Sequence, residues 1–306
     1  MKKFLISILL FALLFIAFDQ FFYFSFLKRS PGLEVDKRLQ YILDGKLNKD
    51  VVILGSSRGA RNIDAKILEE YLGGSVYNIS YPGSSVEFHQ FLLNALLSHN
   101  KRPKLLLLCV DDVAELTYNA SLTFRYERLY PLASYDYVNK LMRERGEKNE
   151  LSRFINVLRG NKSNLKFLNK QFSSMDSLDN HGSMLTSLQS PKVKMKKFRT
   201  TEIPIYNVKA ELPHKINAFK GIVDTCDVKG IKLVICFGPN YYSYNTKFED
   251  RIKELTGKSA YYLCYDKLNE GYKDPSIFYD ALHLNRKGAI MFTKDIQQEL
   301  KQILDK

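Results

Sequence analysis

Tryptophan is missing from all 306 residues, cysteine occurs only four times, and acidic side chains are outnumbered by basic ones, 33 to 46. The lack of Trp does not starve a core, because 19 Tyr and 20 Phe supply aromatic bulk. None of Cys109, Cys226, Cys236 and Cys264 falls in a C-x-x-C pair, so neither metal nor redox chemistry is suggested. Cys109 lies in KLLLLCV and Cys236 in KLVICFG, apolar runs in which Cys behaves as a small hydrophobe. The deficit of acid leaves a formal charge of +13, which favours anionic partners: membrane headgroups, acidic polymers or nucleic acid. Zinc-finger spacing, recognition-helix patterns and RNP-like aromatics are absent, which argues against nucleic acid. Internal repeats are absent too, and nothing indicates a metal or an organic cofactor.

What is present begins with an apolar run. Lys2 and Lys3 precede an unbroken stretch from Phe4 to Phe18; Asp19-Gln20 interrupts it, and Phe21 to Leu27 resume it before Lys28-Arg29. A bilayer core needs about 20 helical residues, a length reached by counting through to Leu27, with Asp19 close to one interface. No A-x-A-like cleavage site follows, so the run reads as an uncleaved signal-anchor. A segment apolar on every face fits a buried soluble helix poorly. The short tail before it is expected to stay cytoplasmic, which puts everything after Leu27 outside. Residues 1–29 are thus expected to be a membrane anchor, meeting the lipid bilayer through residues 4–27, and residues 30–306 to form one α/β domain.

Four continuous apolar runs read as strands buried on both faces, as in a parallel sheet: 51–54, 75–79 (SVYNI), 104–110 (KLLLLCV) and 231–237 (IKLVICF). A fifth is AYYLC at 260–264. Helical patterns separate them. One covers 63–72 with Asp64 as N-cap; another covers 84–97, where Ser84 and Glu87 have capping-box spacing. A third runs from about 214 to 228. The last, 286–304, has Asn285 as cap and Ala289, Phe292, Ile296, Leu300 and Ile303 at helical spacing. Strand–helix alternation predicts an α/β fold, a doubly wound, flavodoxin-like parallel sheet. The rhythm breaks over about 113–210, a polar and basic stretch read as a partly helical insertion or lid. It includes the helical-looking ELSRFINVLRGNKSNLKFLNKQF, the loop-like SSMDSLDNHGSMLTSLQS, and a run crowding Lys192, Lys194, Lys196, Lys197 and Arg199.

At the end of the first strand stands GSSRGAR, either a phosphate cradle or a turn that holds a nucleophile. In a dinucleotide loop the last Gly lets the helix approach the pyrophosphate, but Arg61 occupies that position here. No acidic residue follows the second strand, no Tyr-x-x-x-Lys is present, and a Walker G-x-x-x-x-G-K is absent. A nucleophilic Ser instead requires a His to take its proton and a carboxylate to orient that His. FYDALHLNRKG, just before the last helix, holds Asp280 and His283 three apart on a loop at an element boundary. His89 and His99 fall in a helical stretch, His181 in the insertion and His214 near a helix start.

This arrangement resembles the SGNH (GDSL-like) hydrolase superfamily over the chain after the anchor, insertion excepted. The GDS block appears as Gly55-Ser56-Ser57, making Ser57 the nucleophile by resemblance; YNISYPGSS matches the second block, with Gly83 as the oxyanion-hole glycine. The D-x-x-H block is Asp280 and His283. The third block, G-x-N-D, falls on Cys109-Val110-Asp111-Asp112, so Asp111 replaces the Asn whose amide donates to the oxyanion. An ionised carboxylate there would repel developing negative charge. Either Asp111 is turned away, another donor substitutes, or the site is impaired. With GSS for GDS the chain is similar to membrane-anchored members that modify surface polymers, including the D-alanyl-lipoteichoic acid biosynthesis proteins. The resemblance implies an extracytoplasmic serine esterase or O-acyl (acetyl) transferase acting on a cell-envelope polysaccharide, with a glycan or acylated polymer as substrate and a membrane-bound acyltransferase as partner. Ser57 and Gly83 would supply oxyanion N–H groups. Arg58 and Arg61 flank the nucleophile and are expected either to bind an anionic substrate or to pair with nearby carboxylates and carbonyls at the sheet edge. The alternative is a catalytically inactive SGNH-like module that binds glycan or scaffolds a biosynthetic complex.

Overall fold

The computed structural model describes residues 1–27, 38–160, 178–189, 206–241 and 244–306. Contacts divide the chain into two units: Met1–Gln40 with Arg125–Phe172, and Tyr41–Phe124 with Ser173–Lys306.

The first unit contains α1 (Lys2–Phe22), followed by a π-helical turn, Tyr23–Leu27. Together they form one helix long and apolar enough to cross a membrane. A short helix, Asp136–Glu144, and the 3-10 turns Glu150–Arg153 and Asn156–Arg159 belong to the same unit. Residues 150–172 had the pattern of one helix, yet the described part breaks at Ile155, which is extended. Asn149 caps the first turn by accepting from Ser152 N, and Asp19 of α1 takes the N–H groups of Asn156 and Val157. Those N–H groups are therefore spent on a carboxylate and not on the carbonyls one helical turn back. The basic run at 192–199 lies outside the described residues.

The second unit is built on a five-stranded parallel sheet. Its strands are β1 (Val51–Gly55), β2 (Val76–Asn78), β3 (Leu105–Cys109), β4 (Lys232–Phe237) and β5 (Tyr261–Cys264), ordered β2-β1-β3-β4-β5. Every residue of β1 and β3 is buried, so runs without polar alternation are what these positions require. The connecting helices are α2 (Ser57–Asn62), α3 (Ala65–Leu72), α4 (Val86–His99), α5 (Pro213–Lys229), α6 (Thr246–Thr256) and α7 (Arg286–Asp305). Val51, Ile53, Leu105, Leu107 and Val234 join one buried cluster with Leu68 of α3 and with Phe292, Ile296 and Leu300 of α7.

The caps account for where the helices begin. Asp64 accepts from Lys66 N and Ile67 N to start α3, and Asn285 accepts from Gly288 N to start α7. The capping box expected at Ser84 and Glu87 does not form: α4 starts after Ser85, which makes no side-chain cap. The Ser84 hydroxyl is instead drawn to the Tyr81 carbonyl at 2.7 Å and to His89 Nε2 at 2.8 Å, and Glu87 pairs with His214 at 3.3 Å. Residues 178–189, expected as loop, have neither helix nor strand, but they knit the unit together. Met184 N donates to Ala60 O, Ser183 Oγ donates to Ile63 O and accepts from Ala65 N, and Asn78 N donates to His181 O.

Candidate active site

Parallel pairing sets Gly55 at the end of β1 beside Cys109 at the end of β3. A Cβ on Gly55 would come within 2.6 Å of the Cys109 carbonyl oxygen, and one on Gly59 would strike the Ser80 hydroxyl. Close packing of the turn against β3 and the segment after β2 therefore explains both glycines of GSSRGAR. Ser56 follows the strand at the N-cap position, and Ser57 is the first residue of α2.

The segment before α7 folds into a turn that faces Ser57. Tyr279 N donates to His283 O at 2.8 Å, while Asp280 Oδ1 accepts from Leu282 N at 2.8 Å and His283 N at 2.9 Å. Asn62, at the far end of α2, accepts from Leu284 N at 3.0 Å, and Asn285 donates to Ser276 O at 2.7 Å. Clamped in this way, His283 Nε2 lies 2.7 Å from Ser57 Oγ, and Nδ1 lies 2.8 and 2.9 Å from the two Asp280 oxygens. Burial pushes the Asp280 carboxyl up, but bonds from the His283 ring and from the Leu282 and His283 N–H groups outweigh it, so its pKa falls below the usual value. A carboxylate only accepts, so Nδ1 carries the hydrogen and Nε2 turns its lone pair to the Ser57 hydroxyl. The side chains of His283 and Asp280 are 19% and 28% exposed, so neither is sealed from solvent.

The remaining sequence-predicted residues lie around the same strand ends. Gly83 sits in the turn after β2, which leans on β1: Tyr81 N donates to Gly55 O at 3.0 Å. Asp111 follows β3, and its N–H donates to Glu115 Oε2 at 2.9 Å. Asp111 is held above its usual pKa, by burial first and by the neighbouring Glu115 second, against the opposing pull of Arg58, the Ser56 hydroxyl and His89. Its environment therefore favours the protonated acid. Arg58 and Arg61 are buried, 5% and 6% exposed, and the Arg58 charge acts on Asp111.

A second serine–histidine–carboxylate chain, which the sequence reading missed, starts at the same end of β1, where Ser84 Oγ is 3.4 Å from the Gly55 carbonyl. Ser84 Oγ is 2.8 Å from His89 Nε2, and His89 Nδ1 is 3.4 Å from Glu115 Oε1. All three residues are buried. Lys215 of α5 stands nearby, donating to the carbonyls of Ala114 and Thr117; burial lowers its pKa although Glu115, Glu87 and Asp111 pull the other way. Asn62 was missed as well. Its closeness to Ser57 in sequence was the one available signal, whereas nothing in the sequence joins His89 to Glu115.

No protein-family model matches this chain, and none of the curated proteins compared with it is significantly similar.

Proposed function

We propose that the chain is a membrane-anchored serine esterase or O-acyltransferase of SGNH type, its site outside the cytoplasm and its substrate an acylated cell-envelope polysaccharide. The observation that carries this reading is the Asp280–His283–Ser57 chain, with its 2.7 Å contact between His283 Nε2 and Ser57 Oγ. The strand order 2-1-3-4-5, shared by flavodoxin-like doubly wound sheets, supports the fold half of the proposal, since such sheets bind ligands beyond the carboxyl ends of their strands. Ser57, Gly83 and Asp111 follow the ends of β1, β2 and β3 in turn. The apolar α1 and the charge of +13 suit an anionic polymer held near a membrane.

In this mechanism Ser57 Oγ attacks the ester carbonyl carbon as His283 Nε2 takes its proton. Asp280 stabilises the resulting imidazolium and keeps the ring in register. The oxyanion is held by Gly83 N–H and by Ser57 N–H, which at the first helical position has no intrahelical acceptor. Where Asp111 carries its proton, the form its raised pKa favours, it donates the third bond; a carboxylic acid can do what a carboxylate in the place of Asn could not. Collapse returns the proton from His283 to the departing alkoxide and leaves an acyl-Ser57 ester. Water or a sugar hydroxyl then attacks that ester, losing its proton to His283, which passes it to Ser57 Oγ as the acyl group leaves as free acid or as the new ester.

Fluorophosphonate labelling of the full-length protein in detergent, alongside Ser57→Ala and His283→Ala, tests the reading. Labelling that disappears in both variants is the expected result. A folded wild-type protein that takes no label would overturn the esterase and favour a glycan-binding or scaffolding module.

A further inference from the structure

Every residue of α1 is exposed or half-exposed except Asp19, which is 5% exposed. Its carboxylate accepts from Asn156 N at 3.1 Å, from the Asn156 side-chain amide at 2.8 Å and from Val157 N at 2.8 Å. The rest of that turn is closed as fully. Arg159 donates to the carbonyls of Ser152 and Arg153 at 2.8 and 2.6 Å, and Lys148 donates to those of Leu158 and Gly160 at 2.6 and 3.1 Å. The Phe22 ring approaches Gly160 so closely that a Cβ there would meet it at 2.9 Å. Residues 148–160 are thus docked along the last part of α1, with much of their backbone polarity bound internally.

Helix length sets the depth of this contact. From Lys3 to Asp19 is a rise of about 24 Å, short of the roughly 30 Å of a bilayer's hydrocarbon core. With Lys2 and Lys3 at one interface, Asp19 falls short of the other, and whatever caps it lies at the same depth. Irregular backbone at such depth needs protein to satisfy its polar groups, and here Asp19, Arg159 and Lys148 take up much of that need. Its outward side chains also suit lipid: Leu151 is 56% exposed and Phe154 67%. The charged residues beside them are paired, Glu150 with Arg143 at 2.8 Å and Arg153 with Asp136, and long basic stems reach headgroup level from such a position.

We propose that residues 148–160 form a lipid-embedded wedge, held to the anchor by Asp19 and contacting the leaflet opposite Lys2 and Lys3 through Leu151 and Phe154. The proposal is independent of the serine chemistry; it requires only that α1 spans a bilayer.

The absence of Trp makes the test direct, because any Trp introduced is the sole reporter. The full chain carrying Phe154→Trp, or Phe11→Trp as the reference within α1, is reconstituted into phosphatidylcholine vesicles with bromines at defined chain depths. Phe11→Trp should be quenched by deep bromines, and Phe154→Trp should lose roughly half its emission to shallow ones, as an interfacial side chain does. Adding Asp19→Ala, or the milder Asp19→Asn, should relieve quenching at 154 and leave quenching at 11 unchanged. Emission from Phe154→Trp that ignores brominated lipid but is quenched by aqueous iodide overturns the wedge. So does an unquenched Phe11→Trp, since α1 would then not lie in the bilayer at all.

Discussion

Ser57, His283 and Asp280 form one serine–histidine–carboxylate chain; Ser84, His89 and Glu115 form another, and Ser84 Oγ reaches to within 3.4 Å of the Gly55 carbonyl at the same end of β1. The residue types match, but the geometry does not. Asp280 holds its imidazole with both oxygens at 2.8 and 2.9 Å, whereas Glu115 stands 3.4 Å from His89 and gives its other oxygen to the Asp111 N–H. Ser84 has one proton, and the Tyr81 carbonyl at 2.7 Å competes with His89 for it. The side chains of His89 and Glu115 are 0% and 1% exposed, against 19% and 28% for His283 and Asp280. A triad of residue types is therefore not yet a nucleophile: the hydroxyl must be uncommitted and the histidine reachable. The enclosed chain braces instead, tying the turn that carries Gly83 to the backbone of Asp111.

The sharpest way to break this comparison is to remove each histidine in turn. His283→Ala should cut fluorophosphonate labelling and ester turnover by at least about 10³-fold with little change in unfolding midpoint. His89→Ala should do the reverse, costing about 1–3 kcal/mol because the buried Ser84 hydroxyl loses its ring partner, while each folded molecule still labels. Labelling rates measured beside urea unfolding decide it. A folded His89→Ala protein that no longer labels would mean that the two chains act as one.

A smaller effect is expected at Asp111, whose N–H is held by Glu115 of the enclosed chain. Asp111→Ala should slow turnover by about 10²–10³-fold, as loss of an oxyanion donor does, and Asp111→Asn should restore it. The wild-type rate should fall as pH rises through the raised folded pKa of Asp111, and the Asn variant should lack that limb. Stability follows the same sign. A carboxyl whose folded pKa is raised keeps its proton where the unfolded chain has lost it, so stability declines as pH rises from the ordinary value of 3.8 through the folded one. Asp111→Asn should therefore melt higher than wild type at pH 8 and show no such advantage below the ordinary value. Equal losses in the Ala and Asn variants would remove Asp111 from the mechanism.

The smallest expected change is at Asn62, which holds the histidine turn without touching substrate. Asn62→Ala leaves Leu284 N–H without its acceptor, at a cost of about 1–3 kcal/mol. Labelling should slow by about tenfold, less than the 10²-fold that a 1 Å displacement of a catalytic group can cost. An unchanged rate in a destabilised protein would show that the turn is held well enough by Asp280 alone.

What could be read from the chain was local. Asp64 and Asn285 cap the helices they were expected to cap, because an N-cap needs only a side-chain oxygen beside the N–H groups of the next turn. The strands were legible as apolar runs, since burial on both faces leaves no room for alternation. The short α2 was not, because GSSRGAR carries no apolar periodicity and reads as a turn. Ser84 misled for the opposite reason: its spacing to Glu87 is that of a cap, but its hydroxyl found Tyr81 and His89 instead.

The sequence by itself therefore determined the apolar helix at the N-terminus, the parallel strand runs, the helix caps, and the three residue types a serine nucleophile needs. Only the tertiary structure joined Ser84 to His89 and left Ser57 to the His283 expected for it. The partners are 226 residues apart for Ser57 and His283 but five apart for Ser84 and His89, and sequence separation says nothing about which hydroxyl is left uncommitted. It also decided that Arg58 and Arg61 turn inward and that Asp111 lies where burial favours its protonated form. The physical reason is common to all three: charge and proton position depend on desolvation and on neighbours brought from distant parts of the chain, which local pattern does not encode.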